Sequence, residues 1–295
     1  MSGLLARYND GSQNPPRLRV EHSLWSLIKL PMNAEAEWSA GEKMRRVRAA
    51  GFEGIEISEG DSESSELMDA IAAESLRTVL VVQADDAGTA RRQIDRAKAI
   101  GSNFVWIQAA TPFHPLKEVV DLVTEARKIA ADHGLPFFVE THRDKFTETL
   151  PNCLQLIDAV PDIRFTADLS HLVLIGEFYG WEDEHAIDRL MPILVRTSHL
   201  HGRISNGEQI QVDVGDGSGQ TAQFFVQLWT EAISHWLEGA GPGDILPFGT
   251  ELGPPRYAIT LPDGKEFSDR WEQSLVMKKL AEQAWDAAVG RLGNR

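Results

Sequence analysis

Four segments from residue 136 onward each carry a side chain that can ligate a metal ion. The segments read PFFVETHRD, RFTADLSH, TSHLHGR and LPFGTELGPP. Side chains alternate between the two faces of a strand, so residues of one parity share a face. On one face this parity selects Glu140, Asp168, His201 and Glu251. Three carboxylates that converge with one imidazole repel one another, and a divalent cation removes that repulsion. The pattern therefore predicts a metal site.

Oxygen-rich ligation with a single nitrogen suits several divalent ions. We expect one ion per chain, with manganese as the first choice and magnesium, cobalt or zinc as alternatives.

Each of these residues also has a simpler interpretation. Asp168 precedes LSHL and could cap a helix. His199 lies one pleat deeper than His201, which favours a place in the core or behind a ligand. Glu56, in GIEI, could face the interior or pair with a buried Lys or Arg. No direct role is assigned to His22 or Lys29, and the remaining histidines are expected at the surface: His114, His133, His185 and His235.

The elements that would position these residues are short apolar runs separated by amphipathic segments, which is typical of repeated βα units. The predicted strands are Leu18–Trp25, Gly54–Ile57, Thr78–Gln83, Phe104–Gln108, Pro136–Thr141, Arg164–Leu169, Thr197–Gly202 and Ile245–Leu252. The predicted helices include Ala40–Ala50, Gly88–Ile100, Leu116–His133, Thr149–Ala159 and Gln223–Leu237.

Eight such units predict a single α/β domain, a (β/α)₈ TIM barrel over residues 18–295, after a flexible N-terminal segment over residues 1–17. Extended loops follow the seventh and eighth strands, at Ile204–Thr221 and Gly253–Lys265. The first strand leads into HSLWSLIKLP, which has no glycine-rich phosphate motif and so disfavours a doubly wound sheet. In barrels the carboxyl ends of the strands hold the active site, which is where the four ligating residues lie.

Composition narrows the function further. The 295 residues include 29 Lys plus Arg and 44 Asp plus Glu, a net charge of −15. This excess of acid argues against a nucleic-acid partner and against an anionic membrane surface. The single cysteine, Cys153, cannot form an internal disulfide. No signal peptide or membrane span is evident, so we expect a cytoplasmic protein.

These motifs make the sequence similar to a known group of proteins. From about Leu18 to Ala287 it resembles the xylose isomerase-like TIM barrels, often described as sugar phosphate isomerases and epimerases. The matching pieces are VETHRD, ADLSH, HLHGR and TELGPPRY. The resemblance implies that Glu140, Asp168, His201 and Glu251 bind one divalent metal. It also implies that His171 contacts the substrate or orients a ligand, and that Arg203 binds the substrate.

The resemblance has departures. Ketose 3-epimerases of this superfamily carry a second catalytic Glu six residues after the strand-five ligand, where this chain has Phe146. The additional histidines of the three-metal apurinic-site endonucleases are not evident. Some relatives, the catalytic subunits of bacterial C-glycoside deglycosidases and enzymes acting on 3-keto sugars, pair a metal with a nearby His to drive elimination.

We therefore expect a metal-dependent isomerase or epimerase that acts on a sugar or keto-sugar through an enediolate. His142 is the first candidate base and His171 the second, while Glu140 or Glu251 could serve if the metal holds one weakly. The aromatic side chains expected to stack on a sugar ring are Trp25, Trp106 and Tyr257.

The alternatives are a lyase or deglycosidase that cleaves a 3-keto-glycoside by β-elimination, and a non-catalytic sugar-binding barrel. A small-molecule carbohydrate is the expected partner, and the chain could also form a homo-oligomer or bind a small accessory subunit.

Overall fold

The computed structural model describes residues 5–180, 182–183 and 185–293, in which nine strands form one sheet. They are β1 Tyr8–Asn9, β2 Arg17–Ser23, β3 Gly54–Ile57, β4 Arg77–Ala84, β5 Val105–Ala109, β6 Phe137–Glu140, β7 Phe165–Ala167, β8 Thr197–Gly202 and β9 Asp244–Thr250. Strands β2 to β9 are parallel, and each pairs with the next along the chain. β9 also pairs with β2, which closes the sheet. The predicted (β/α)₈ barrel is confirmed.

Helices follow the strands around the outside of the barrel. They are α1 Ala40–Ala49, α2 Ser65–Ala73, α3 Ala87–Ala99, α4 Leu116–Asp132, α5 Leu150–Ala159, α6 Leu169–Ile175, α7 Ala186–Leu194, α8 Gln220–Leu237 and α9 Arg270–Gly293. Several begin at a side chain that accepts a hydrogen bond from the first turn, namely Ser39, Ser64, Asp86 and Thr149. The apolar face of each helix packs on the barrel and forms the main core with it.

The N-terminal segment, predicted to be loose, takes part in the sheet. Tyr8–Asn9 pair antiparallel with the start of β9. Close by, Arg7 donates to the carbonyl of Trp236 at 3.1 Å, and Ser198 Oγ donates to the carbonyl of Ala6 at 2.7 Å. A strand of two residues has no periodicity that a sequence can show, which is why the pattern did not predict it. Residues 1–4 of the predicted segment lie outside the described residues.

The interior of the barrel combines an apolar cluster with polar groups. Val79, Phe104, Trp106 and Phe138 are buried together inside it. Phe104 contacts the ring of His199 edge-on at 5.0 Å between centroids, and Trp106 contacts that of His201 at 4.7 Å. The histidines of β8 therefore lie against an apolar cluster that restricts their orientation.

Two long connections leave the carboxyl ends of β8 and β9. They span residues 203–219 and 251–269, where the sequence predicts extended loops. The second is anchored by the buried Arg270, which pairs with Glu266 at 2.6 Å and donates to the carbonyl of Ile28 at 2.6 Å. The loops after β2 and β9 are thus tied together beside the barrel mouth.

None of the helices in the described ranges has an apolar run of the length and character needed to cross a bilayer.

His22 makes stability depend on pH. Its ring lies against Phe52 and Trp271 at centroid distances of 5.0 and 5.8 Å, and burial lowers its pKa to about 4. Between pH 4 and about 6.5 the unfolded chain binds a proton that the folded chain does not. The contribution of neutral His22 is therefore present above pH 6.5 and is lost as the pH falls to 4, by up to about 3 kcal/mol.

We expect the free energy of unfolding in urea to fall less steeply with decreasing pH in His22→Asn than in the wild type. His235→Asn, at a partly exposed position of helix α8, is the matched control and should follow the wild type. Parallel pH profiles for the wild type and His22→Asn would contradict this assignment.

Candidate metal centre

Four neighbouring strands deliver the four predicted ligands to one place. Glu140 ends β6, Asp168 follows β7, His201 lies in β8 and Glu251 follows β9. One ligand atom from each residue lies within 4.8 Å of those from the other three. All four residues are buried. The sequence parity therefore selected side chains that the structure brings together.

His201 lies at the middle of this group, which we call the four-ligand cluster. Its Nδ1 is 3.0 Å from Glu140 Oε1 and 3.1 Å from Glu251 Oε2. The Oδ1 of Asp168 accepts from the backbone N–H of Ser170 at 3.1 Å, as a cap of α6. Its Oδ2 faces Arg203 Nε at 3.2 Å. The capping and ligating interpretations of Asp168 are therefore compatible, because each uses a different oxygen.

The pKa values in the cluster reflect crowded charge. Burial and the nearby Glu251 raise the pKa of Glu140 to about 7, although His201 opposes this. Burial also raises the pKa of Asp168. Burial alone would raise the pKa of Glu251, but His201 and Arg203 outweigh it and lower that pKa to about 2. Burial opposes protonation of His201, yet Glu251 and Glu56 raise its pKa well above the usual value. Positive charge is therefore strongly favoured at this point of the barrel.

These residues fit a divalent cation. Glu140 Oε2 is buried and has no hydrogen-bond partner in the described part of the chain. Buried polar atoms without a partner are rare, and a ligand is one common reason for them. Three carboxylates and one imidazole form a donor set that suits a hard or borderline divalent ion.

A second group of ligating atoms shares His201. It consists of Glu56, His199 and His201, whose ligand atoms also lie within 4.8 Å of one another. A neutral imidazole has one lone pair, so His201 can ligate on only one side. Its Nδ1 faces two carboxylates of the four-ligand cluster, and its Nε2 faces Glu56 alone. The larger donor set therefore fits the ion better.

His142 and His171 lie side by side next to the cluster, with their ring centroids 4.0 Å apart. His142 Nδ1 contacts the carbonyl of Arg143. Because a carbonyl only accepts, Nδ1 carries the hydrogen and Nε2 keeps a lone pair. Burial lowers the pKa of His142 to about 4 and that of His171 well below its usual value. Both imidazoles are therefore neutral near pH 7.

Arg203, which the resemblance assigns to the substrate, contacts two of the predicted ligands. Its Nη2 is 2.7 Å from Glu251 Oε2, and its Nε is 3.2 Å from Asp168 Oδ2. The guanidinium carbon lies 4.7 Å from the ring centroid of Tyr257 and 5.5 Å from that of Trp25. This fully buried arginine therefore neutralises part of the cluster, and its role in substrate binding stays a prediction.

A cavity of about 740 Å³ opens beside the cluster. Of the residues singled out in the sequence, it is lined by Trp25, Glu56, Trp106, His142, Glu251 and Tyr257. His171 and Arg203 are not among its lining residues. The wall also includes residues that the sequence did not single out: Lys43, Ser64, Gln83 and Gln108. Lys43 lies on α1, Ser64 precedes α2, and Gln83 and Gln108 lie on β4 and β5. Gln108 follows Trp106 by two residues and so shares its face of the strand, which is a signal that alternation offers.

The remaining candidates lie as follows. Glu56 was left open between the interior and a buried cation, and it contacts His199 and His201. His22 is buried against Phe52 and Trp271, whereas Lys29 is exposed. The four histidines expected at the surface are all outside the lining of the cavity: His114, His133, His185 and His235.

Comparison with known proteins agrees with this architecture. The model of the xylose isomerase-like TIM barrel family matches residues 44–228. The chain belongs to this family. No curated protein sequence matches this xylose isomerase-like barrel.

Solved structures resemble it in fold. A D-allulose 3-epimerase from Methylomonas sp. superposes with a TM-score of 0.60 at 16% identity, over 92% of this chain and 99% of that chain. A xylose isomerase-like TIM barrel protein from Mycobacterium smegmatis, in complex with magnesium, gives 0.58 at 14% identity, over 93% and 97%. The probable 3-DHS dehydratase AsbF from Bacillus anthracis gives 0.51 at 14% identity, over 89% and 97%. At these identities the likeness concerns the fold.

We expect this xylose isomerase-like barrel to bind one divalent ion per chain through the four-ligand cluster. Glu251→Gln and Asp168→Asn each remove a charge from the donor set. Loss of a group that merely supports a ligand weakens metal binding about 10- to 100-fold, so loss of a ligand should cost at least as much. Elemental analysis after dialysis against Mn²⁺ measures the bound ion.

Glu118→Gln, on the exposed side of α4, is the control and should keep the wild-type metal content. If Glu251→Gln and Asp168→Asn both retain a full ion, the metal site is elsewhere.

Proposed function

We propose that this protein is a divalent-metal-dependent sugar isomerase or epimerase, with isomerisation favoured. The observation that carries the proposal is that four ligand atoms converge within 4.8 Å beside a large cavity, with Glu251 and His142 in its wall. Metal ligation and proton transfer could therefore take place on one substrate. The similar D-allulose 3-epimerase and the magnesium complex support a sugar substrate and a divalent ion.

Glu140, Asp168, His201 and Glu251 would hold the ion. When bound, a divalent ion supplies Lewis acidity, which acidifies the C–H beside a sugar carbonyl and stabilises negative charge on the neighbouring oxygens. Manganese is the ion proposed for this site.

His142 is the proposed base. Its Nδ1–H is engaged by the carbonyl of Arg143, which leaves the lone pair on Nε2 to accept a proton. The proton leaves the hydroxyl-bearing carbon beside the carbonyl, and the C–H electron pair enters the enediolate. The imidazolium returns the proton to the former carbonyl carbon, and the hydroxyl proton passes to the former carbonyl oxygen. Burial keeps the ring neutral before the reaction, because it lowers the pKa of His142 to about 4.

Phe146 bears on the choice between isomerisation and epimerisation. It stands where ketose 3-epimerases carry their second catalytic Glu, and here it is buried in the apolar core. Epimerisation removes a proton from one face of the enediolate and delivers one to the other, which takes a group on each face. Transfer between adjacent carbons on one face needs His142 alone, so isomerisation is the favoured reaction.

The charge of the cavity favours a sugar without a phosphate. Its lining carries the carboxylates of Glu56, Asp61 and Glu251, while Lys43 is the single Lys or Arg among the described lining residues. Lys43 is itself paired with Glu37. A phosphate dianion needs cations or several N–H donors, and acidic side chains repel it. The indole rings of Trp25 and Trp106 offer surface for the apolar face of a neutral sugar.

The size of the cavity favours elimination from a 3-keto-glycoside as the second candidate function. A water molecule takes about 30 Å³ of liquid, so the cavity has room for about twice the atoms of a six-carbon sugar. In the elimination, His142 would take the proton beside the keto group, and the neighbouring C–O or C–C bond would release the aglycone with its electron pair. The imidazolium of His142 would then give this proton to the leaving group.

Incubation of the Mn²⁺-loaded protein in deuterated water with aldoses, ketoses, sugar phosphates and 3-keto-glycosides tests these proposals. We expect interconversion of an unphosphorylated aldose and ketose, with deuterium on the carbon beside the carbonyl. Release of an aglycone would favour elimination, and turnover that never exchanges this proton would favour a hydride shift or direct hydrolysis over the enediolate.

His142→Gln should lower kcat about 10²- to 10⁴-fold, since general-base catalysis contributes about that much, while the metal content stays near the wild-type level. His235→Gln, away from the cavity, should leave kcat unchanged. A variant with normal kcat and raised KM would make His142 a binding residue, and His171 would become the next candidate base.

A further inference from the structure

A single buried carboxylate connects the two histidines of β8. Glu56 lies in β3, which is three strands from β8 in the barrel, and is 1% exposed. Its Oε1 is 3.3 Å from His199 Nε2, and its Oε2 is 3.3 Å from His201 Nε2. These four atoms have no hydrogen-bond partner in the described residues, and at 3.3 Å the two contacts are longer than a short hydrogen bond. Within the described residues, each imidazole nitrogen and the Glu56 oxygen that it faces are therefore the groups placed to satisfy one another.

The barrel makes space for this carboxylate. Gly249 in β9 is paired with His201, and a Cβ at position 249 would lie 2.0 Å from Glu56 Oε1. Any larger residue there would push the carboxylate away from the histidines. Phe104 and Trp106 contact the two imidazoles edge-on. The carboxylate of Glu56 therefore occupies the space that the missing side chain at position 249 leaves.

The hydrogen positions follow from the partners. A carboxylate only accepts, so the Nε2 atoms of His199 and His201 carry the hydrogens when both rings are neutral. The lone pair of His199 is then on Nδ1, which is 3.1 Å from the hydroxyl of Thr166, a donor. When a cation replaces the second ring proton of His201, the lone pair of this ring is likewise on Nδ1, which faces Glu140 and Glu251.

We propose that Glu56 is a positioning residue of the metal centre, which holds His201 as the Nε2–H tautomer so that Nδ1 faces the cation. The inference rests on the proposed function, because it needs the four-ligand cluster to bind the ion. Histidines that ligate metals commonly donate their other N–H to a carboxylate, and removal of such a partner weakens metal binding about 10- to 100-fold. His199, fixed by the same carboxylate and by Thr166, keeps Glu56 from turning away.

Two variants of Glu56 test the proposal. Glu56→Gln keeps the size of the side chain, but its one carbonyl oxygen can accept from only one of the two rings. Calorimetric titration with Mn²⁺ should show binding about 10- to 100-fold weaker than in the wild type. Glu56→Asp keeps the charge and should recover part of the affinity. With the diamagnetic Zn²⁺ in place of Mn²⁺, ¹⁵N NMR of the imidazoles should show His201 as the Nε2–H tautomer in the wild type and a smaller fraction of that tautomer in Glu56→Gln.

Glu21→Gln is the matched control, because Glu21 is another fully buried carboxylate of the barrel interior and contacts Arg19 instead of a histidine. It should leave both the Mn²⁺ affinity and the His201 tautomer unchanged. Gly249→Ala should act like Glu56→Gln, since the added Cβ displaces the carboxylate without removing it. This variant keeps the test available if Glu56→Gln does not fold.

The outcomes separate this inference from the proposed function. Wild-type affinity together with an unchanged His201 tautomer in Glu56→Gln overturns the positioning role. Complete loss of Mn²⁺ binding in Glu56→Gln, with normal binding in Glu251→Gln, also overturns it and makes Glu56 itself a ligand. A wild-type protein that binds no Mn²⁺ contradicts the proposed function. A His201 Nε2–H proton signal that lies downfield in the metal-free wild type and moves upfield in Glu56→Gln would then still support the contact between Glu56 and His201.

Discussion

Four carboxylates buried at the mouth of one barrel are the constraint on which the rest of this structure depends. Glu56, Glu140, Asp168 and Glu251 are each less than a tenth exposed. Two like unit charges about 4 Å apart repel by about 4 kcal/mol at an effective dielectric constant of about 20. A folded chain cannot collect such groups without positive partners nearby. The partners present are His201, whose Nδ1 and Nε2 face different carboxylates, and Arg203.

The closed parallel sheet is what holds these groups at fixed distances. β6, β7, β8 and β9 are consecutive neighbours, so the ends of the strands meet at one rim without any long-range rearrangement. Register places His201 opposite Gly249, and this glycine leaves the space that Glu56 occupies. The apolar cluster inside the barrel and the helices outside supply the burial that offsets the cost of the charges. The barrel thus stabilises a polar centre that a smaller sheet could not enclose.

The four-ligand cluster can be predicted from the sequence because the signals for it lie within single strands and in the order of the strands. Alternation within one strand decides which side chain faces inward, and the order of strands in a barrel decides which ends are neighbours. The same reasoning leaves Glu56 undecided, since its partners lie on β8 and its space is made by Gly249, far away along the chain. The ion pairs of Arg203 with Asp168 and Glu251 could not be predicted either, because they depend on side-chain directions that hydrophobic periodicity does not reveal. Strand β1 is too short to have a pattern.

The net charge of the four carboxylates and Arg203 links the proposed metal site to the kind of substrate that the proposed enzyme would accept. The four carboxylates and Arg203 leave an excess of negative charge, and a neutral His201 that ligates through Nδ1 adds nothing to the balance. One divalent cation reduces this excess without reversing it. A second anion, such as a sugar phosphate, would therefore meet repulsion from the centre itself as well as from Asp61 in the cavity wall. A neutral polyhydroxyl compound meets no such repulsion, and its hydroxyl groups can donate hydrogen bonds to the carboxylates. On the proposed function, the charge that favours a cation at this centre also favours an uncharged sugar as the substrate.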